Sequence, residues 1–221
     1  MYRVDSLNTH NPTDDKNLFE QIALQIIARG YAILPAAMPK HITDHLIEHL
    51  AQLECDGFRK ATIGRSLEQT ENTFVRRDKI SWIDEESNLN TTWKYWCEQL
   101  RIHLNKRLFL GLFSFESHFA LYLPGDFYKK HKDAFKGESN RILSLVTYLN
   151  KGWEPDQGGE LVMYSDADIE LNKVQPTFAT LVVFLSEEFP HEVLPVSRQR
   201  YSVAGWFRVN NSINGQIDPP K

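Results

Sequence analysis

The 221 residues stand at the upper end of what one hydrophobic core serves, and 42% hydrophobic against 24% charged residues, with 11 Gly and 10 Pro, excludes a collagen-like, low-complexity or largely disordered chain. Twenty-five Lys and Arg against 29 Asp and Glu give a formal charge of -4, which argues against nucleic-acid or anionic-membrane partners held by a broad basic surface. The longest apolar stretch, residues 179–185 interrupted by Thr180, is far short of the roughly 20 residues of a spanning helix, and two cysteines, Cys55 and Cys97, build no disulfide framework, so a cytoplasmic location is expected.

Asp14 and Asp15 are placed to cap a first helix, in which Leu18, Ile22, Ala23, Ile26 and Ile27 recur on one face until Gly30 stops it. A short extended piece follows over Tyr31 to Leu34. Pro39 opens a second helix with the stripe Ile42, Leu46, Ile47, Leu50 and Leu53, and a third carries Trp93, Trp96, Leu100 and Leu104. Between them, residues 56–83 are polar and rich in Glu, Thr and Arg, and read as a long hairpin or mobile loop of a length that usually serves function.

Beyond residue 110 the rhythm changes. Aromatic and β-branched runs at 116–123, 142–149, 160–164, 177–185, 191–194 and 201–208 alternate with turn signals. Some eight short strands without crossover helices predict a mainly β, antiparallel sandwich or barrel with the N-terminal helices on its outside. One domain is expected over 1–221, with helices and the hairpin loop in 1–110 and the β core in 111–208.

The chemistry concentrates around His131 and Asp133. Two residues apart on a strand, they project from one face and can offer an imidazole and a carboxylate to one ion. His191, placed at the end of the apolar strand 179–185 and its Ser-Glu-Glu-Phe-Pro turn, is the third candidate. Two histidines and a carboxylate leave the far side of a metal free, the arrangement of non-haem Fe(II) oxygenases. Arg200 leads into an alternating strand that aims Arg200, Ser202, Ala204 and Trp206 at one face, where a buried guanidinium needs a carboxylate, from a ligand or from the protein itself. His41, His45 and His49 recur every four residues along the second helix, but His41-Ile-Thr-Asp-His45 lacks the Glu that a zinc protease places after its first histidine and no thiolate is nearby, so they read as a partly solvated stripe.

The set Tyr122-x-x-Gly125-x-x-Tyr128-x-x-His131-x-Asp133, followed by His191 and Arg200, resembles the Fe(II)- and 2-oxoglutarate-dependent prolyl hydroxylases. Residues 76–83 (RRDKISWI), 148–151 (YLNK), 158–161 (GGEL) and 190–193 (PHEV) are similar to the branch that hydroxylates hypoxia-inducible factor, and to its smaller bacterial relatives most of all. The resemblance runs from about residue 56 to 208. It implies a double-stranded β-helix of jelly-roll or cupin-like type, with Fe(II), 2-oxoglutarate as co-substrate, O2 and ascorbate as reductant. His131, Asp133 and His191 become the metal ligands, and Arg200, Tyr122 and Tyr148 bind the co-substrate. Tyr128, Arg141 and Trp206 line the substrate pocket with Leu161 and Val183 as its apolar wall, while Arg76 and Asp78 sit on a loop expected to close over substrate. Arg77 replaces a glycine of that loop and Ala204 a threonine near the co-substrate. The implied reaction hydroxylates a prolyl residue in a protein or peptide and releases succinate and CO2. The alternatives are hydroxylation of a free amino acid or other small molecule, and a metal-bound sensing module with little turnover.

Overall fold

The computed structural model describes residues 12–53, 57–61, 74–83, 92–134, 140–210, 212–213 and 216–217. Cys55 and most of the polar segment expected to form a mobile loop, residues 62–73, lie outside them.

Helix α1 (Pro12–Arg29) starts two residues before Asp14, so Asp14 and Asp15 lie within its first turn, where they favour the helix dipole, and do not cap it. Its buried arc is Leu18, Phe19, Ile22, Ala23 and Ile26. At 100° per residue Ile27 falls beyond the edge of that arc, and it is 60% exposed, contrary to the expected stripe. Gly30 ends the helix at φ +80, its N–H donating to the Ile26 carbonyl. Helix α2 (Lys40–Gln52) follows Pro39 and buries Ile42, Thr43 and Leu46. Helix α3 (Thr92–Leu108) buries the expected Trp93, Trp96, Leu100 and Leu104.

The strands form two antiparallel layers. The large sheet has the order β1-β9-β6-β11-β4-β3-β2, from β1 (Tyr31–Leu34), β9 (Leu181–Leu185), β6 (Arg141–Tyr148), β11 (Arg200–Val209), β4 (Leu112–Tyr122), β3 (Lys79–Trp82) and β2 (Arg59–Lys60). The small sheet has the order β5-β10-β7-β8, from β5 (Tyr128–His131), β10 (His191–Val193), β7 (Leu161–Tyr164) and β8 (Glu170–Val174). Residues 212–213 and 216–217 pair as a two-stranded ribbon, β12 and β13.

Both faces of the large sheet are covered. Leu181, Val183, Phe119, Val203 and Phe207 point to the helices and join one core with α1 and α3, while Val182, Phe184, Ala120, Tyr122 and Tyr148 point inward and pack on Leu161, Met163 and Val193 of the small sheet. Burial on both sides is why 181–185 reads as an unbroken apolar run. The strand expected over 177–185 begins only at Leu181, because Thr177 to Thr180 make a turn with Ala179 at φ +61. Strand β8, with the sequence Glu-Leu-Asn-Lys-Val, lacks the apolar run that marks strands such as β9. Among the described residues no helix is long and apolar enough to cross a membrane.

Candidate metal centre

Strands β5 and β10 pair so that His131 stands opposite His191, ring centroids 4.4 Å apart. The ladder between them ends at this pair, because His191 is the first residue of β10. The chain beyond His131 is therefore free to bend, and Asp133 lies in that bend and not on the strand the spacing suggested. His191, after the turn that follows the apolar strand, opens the separate strand expected at 191–194, and that strand lies in the opposite sheet.

One ligand atom from each of His131, Asp133 and His191 lies within 4.8 Å of the other two, and among the described residues this is the only such group. The His131 Nε2 is 3.6 Å from Asp133 Oδ1, and the His191 Nε2 is 3.6 Å from Asp133 Oδ2. The Nδ1 atoms meet the carbonyls of Lys129 at 2.8 Å and Phe189 at 3.0 Å. A carbonyl only accepts, so each Nδ1 carries the proton and each Nε2 turns a lone pair toward the carboxylate. Burial pushes His191 down to about 4, against the pull of Asp133, so it is neutral near pH 7. Burial pushes the Asp133 carboxyl up, but the pull of His191 and His131 in their protonated form, with the Ser144 hydroxyl donating to Oδ2 at 2.6 Å, outweighs it and holds the group below the usual carboxylate range, so at neutral pH it is a carboxylate. Three electron-rich atoms thus face one another at non-bonding distance, an arrangement that a divalent cation relieves, and the donor set suits Fe(II).

Arg200 opens β11 and is 1% exposed. It stands opposite Tyr122 of β4, with its guanidinium carbon 4.8 Å from the Tyr122 ring centre and 5.0 Å from that of Tyr148. Its Nε donates to the Gly159 carbonyl at 2.9 Å and its Nη1 to Ser202 Oγ at 3.2 Å. No carboxylate among the described residues pairs with it, so the ion pair with the protein that the sequence left open is not seen. A buried cation without a counter-charge is costly. Burial raises Tyr148 to about 12 against the opposing effect of Arg200, and its hydroxyl has no hydrogen-bond partner among the described residues. An oxyanion entering here would meet a cation and a phenol together.

Of the expected substrate residues, Tyr128 touches the metal group and Arg76 stands on Tyr128, while Arg141 and Trp206 pack on each other. Tyr128 stacks on His131 with centroids 3.6 Å apart, and the Arg76 guanidinium carbon lies 4.4 Å from the Tyr128 ring centre. Arg76 is held by the buried Asp78 through bonds of 2.8 and 2.6 Å. Arg141 donates twice to Glu116 and lies 3.7 Å over the Trp206 ring, whose buried indole N–H has no partner among the described residues. Trp82 and His118 pack against Trp206 at 6.5 and 5.4 Å. Of the two expected wall residues, Leu161 belongs to the inner core, whereas Val183 faces the helices, since it is one residue out of phase with the inward Val182 and Phe184. Ser144, Ser186 and Gly159, which touch the ligands or Arg200, carried no periodicity or charge that would have singled them out.

Residues 117–208 match the 2OG-Fe(II) oxygenase superfamily. Over 204 residues the chain is 27% identical to prolyl hydroxylase EGLN3 of Homo sapiens, covering 85% of this chain and 84% of that protein. A solved prolyl-4-hydroxylase of Pseudomonas putida is 36% identical with a TM-score of 0.77, over 87% of this chain and all (100%) of that one. A prolyl hydroxylase of Trichoplax adhaerens, solved with a hypoxia-inducible factor peptide fragment, shares the fold at 23% identity and a TM-score of 0.78, over 90% of this chain and 94% of that one.

Proposed function

The chain belongs to the 2OG-Fe(II) oxygenase superfamily, which implies Fe(II), 2-oxoglutarate and O2, and from that premise we propose that it hydroxylates a prolyl residue of a protein or peptide. The observation that carries the co-substrate assignment is Arg200, a buried guanidinium between the sheets with no carboxylate partner among the described residues. The prolyl target is supported by the likeness to EGLN3 and to the P. putida enzyme.

In this reading His131, Asp133 and His191 hold the iron through Nε2, a carboxylate oxygen and Nε2. Bound iron supplies the activation of O2 that couples decarboxylation of 2-oxoglutarate to succinate and CO2 with insertion of one oxygen into a substrate C–H. Arg200 pairs with the distal carboxylate of the co-substrate, and Tyr122 and Tyr148 offer hydroxyls beside it. The inner core keeps that space dry, which strengthens the ion pair. Tyr128, Arg141 and Trp206 line the substrate pocket, with Arg76, held by Asp78, beside Tyr128. Bracing by Glu116 and Asp78 holds these rings in place and leaves the Trp206 N–H to meet a substrate carbonyl, as a peptide proline with its flanking carbonyls would require. Ascorbate serves as reductant, one domain carries the activity, and the low cysteine count favours a reducing cytoplasm.

Mass spectrometry of a proteome with and without the protein, searching for one added oxygen on proline, tests this reading. Consumption of 2-oxoglutarate stimulated by a free amino acid, with no modified peptide, would replace it by the small-molecule alternative. No turnover of any kind would favour the sensing module.

A further inference from the structure

Behind the metal group lie two serines from different parts of the chain. Ser144 is on β6, a central strand of the large sheet, and Ser186 lies in the turn between β9 and β10; they are 2% and 0% exposed. The Ser144 Oγ is 2.6 Å from Asp133 Oδ2 and 2.9 Å from the Ser186 Oγ. An ionised carboxylate has no proton to give, so the single Ser144 proton is committed to Asp133. Ser144 must then accept from Ser186, and the direction of both bonds follows. The relay runs from the turn that presents His191, through the sheet, to the bend that presents Asp133.

Resting on the metal assignment above, we infer that Ser144 is a positioning residue that occupies Asp133 Oδ2, so that the carboxylate meets the metal through Oδ1 alone, and that Ser186 is the second link that orients Ser144. The need for such a device is local. Asp133 follows the last ladder pair of β5, so no strand hydrogen bond fixes its backbone, and its reach toward the histidines is set by the side-chain bond that holds Oδ2. A carboxylate held by one oxygen also keeps a coordination position free, which a three-ligand oxygenase centre needs for its two co-substrates. Outer partners of this kind typically contribute about 10- to 100-fold to metal affinity.

Mn(II) titration of the metal-free protein, with free Mn(II) followed by electron paramagnetic resonance, reads this without turnover. Ser144→Thr keeps the hydroxyl and Ser144→Val replaces it with a methyl of the same shape, so their difference isolates the proton donor from packing. Ser144→Ala, which adds no atom, must follow Val. The Thr variant is expected to bind near the parent value, with Val and Ala weaker by about 10-fold or more. Ser186→Ala is expected to weaken binding by a smaller factor, and to add nothing in the Ser144→Val background. Equal affinity of the Val, Ala and parent proteins would overturn the relay while leaving the metal site standing. A full Ser186→Ala effect persisting in the Val background would overturn the second link. A parent that binds no Mn(II) would remove the metal assignment and the relay together.

Discussion

Arg200→Met deletes the guanidinium while keeping much of the apolar stem, and its two consequences have opposite signs. In the ligand-free protein Arg200 keeps two hydrogen bonds, to Gly159 and Ser202, but bears a buried charge with no counter-ion among the described residues. Desolvating such a charge costs several kcal/mol, so the Met variant should melt no lower than the parent without ligand. With 2-oxoglutarate the balance reverses. A charge-assisted pair with the distal carboxylate contributes roughly 1.5–3 kcal/mol, and at about 1.4 kcal/mol per decade its loss weakens binding by roughly 10- to 150-fold. Arg200→Lys keeps the charge but not the two-pronged geometry, and should fall between. Calorimetric titration of 2-oxoglutarate into the anaerobic Mn(II) protein measures the affinity, and thermal melts with and without ligand measure the stability. Mn(II) binding alone should be unchanged, because Arg200 does not touch the ligand atoms. Equal 2-oxoglutarate affinity in parent and Met variants would refute the co-substrate role. A Met variant destabilised by several kcal/mol without ligand would show the guanidinium to be structural.

Asp133→Ala should abolish Mn(II) binding and 2-oxoglutarate turnover, and a variant titrating with the parent Kd would show that the carboxylate is not a ligand. Gly159→Ala places a Cβ 3.0 Å from Arg200 Cδ at φ +70, so calorimetry should show 2-oxoglutarate affinity falling while Mn(II) affinity holds. Gly158→Ala brings a Cβ to 2.3 Å from the Pro195 carbonyl oxygen at φ +68 and should cost more than about 1 kcal/mol in urea melts, a parent-like midpoint being the contrary result. Burial lowers His118 to about 4, with Asp78 opposing and Arg76 and Arg141 assisting, from an ordinary 6.5 that the unfolded chain retains. Between those values the unfolded state binds the extra proton, so stability is full above pH 6.5 and falls on acidification toward pH 4 by up to about 3 kcal/mol. Urea melts of His118→Phe should show a shallower loss over that window, and an unchanged slope would refute the assignment.

The helix stripes were legible in the sequence because a helix is a local object: Trp93, Trp96, Leu100 and Leu104 recur at its period and are buried together. Strands β4, β6 and β11 were legible for the same reason, through apolar and β-branched runs long enough to outlast their boundary errors. The ligand residue types and Arg200 were legible as chemistry, and their order along the chain carried the resemblance. What local pattern could not carry was pairing. Nothing in residues 128–133 states that β10 is the neighbour of β5, yet that register places His191 opposite His131. The end of that same ladder turned Asp133 off the strand, and a one-residue phase difference sent Val183 to the helices while Val182 faced inward. Ser144, Ser186 and Gly159 were invisible for the plainest reason: small polar residues and glycines are everywhere, and only a neighbour more than ten residues away gives each its role. The sequence determined which groups were available and which segments would be helix or strand. The tertiary structure alone decided which of those groups meet, because strand pairing and the bends that end it are set by contacts between distant segments and not by the period of any one of them.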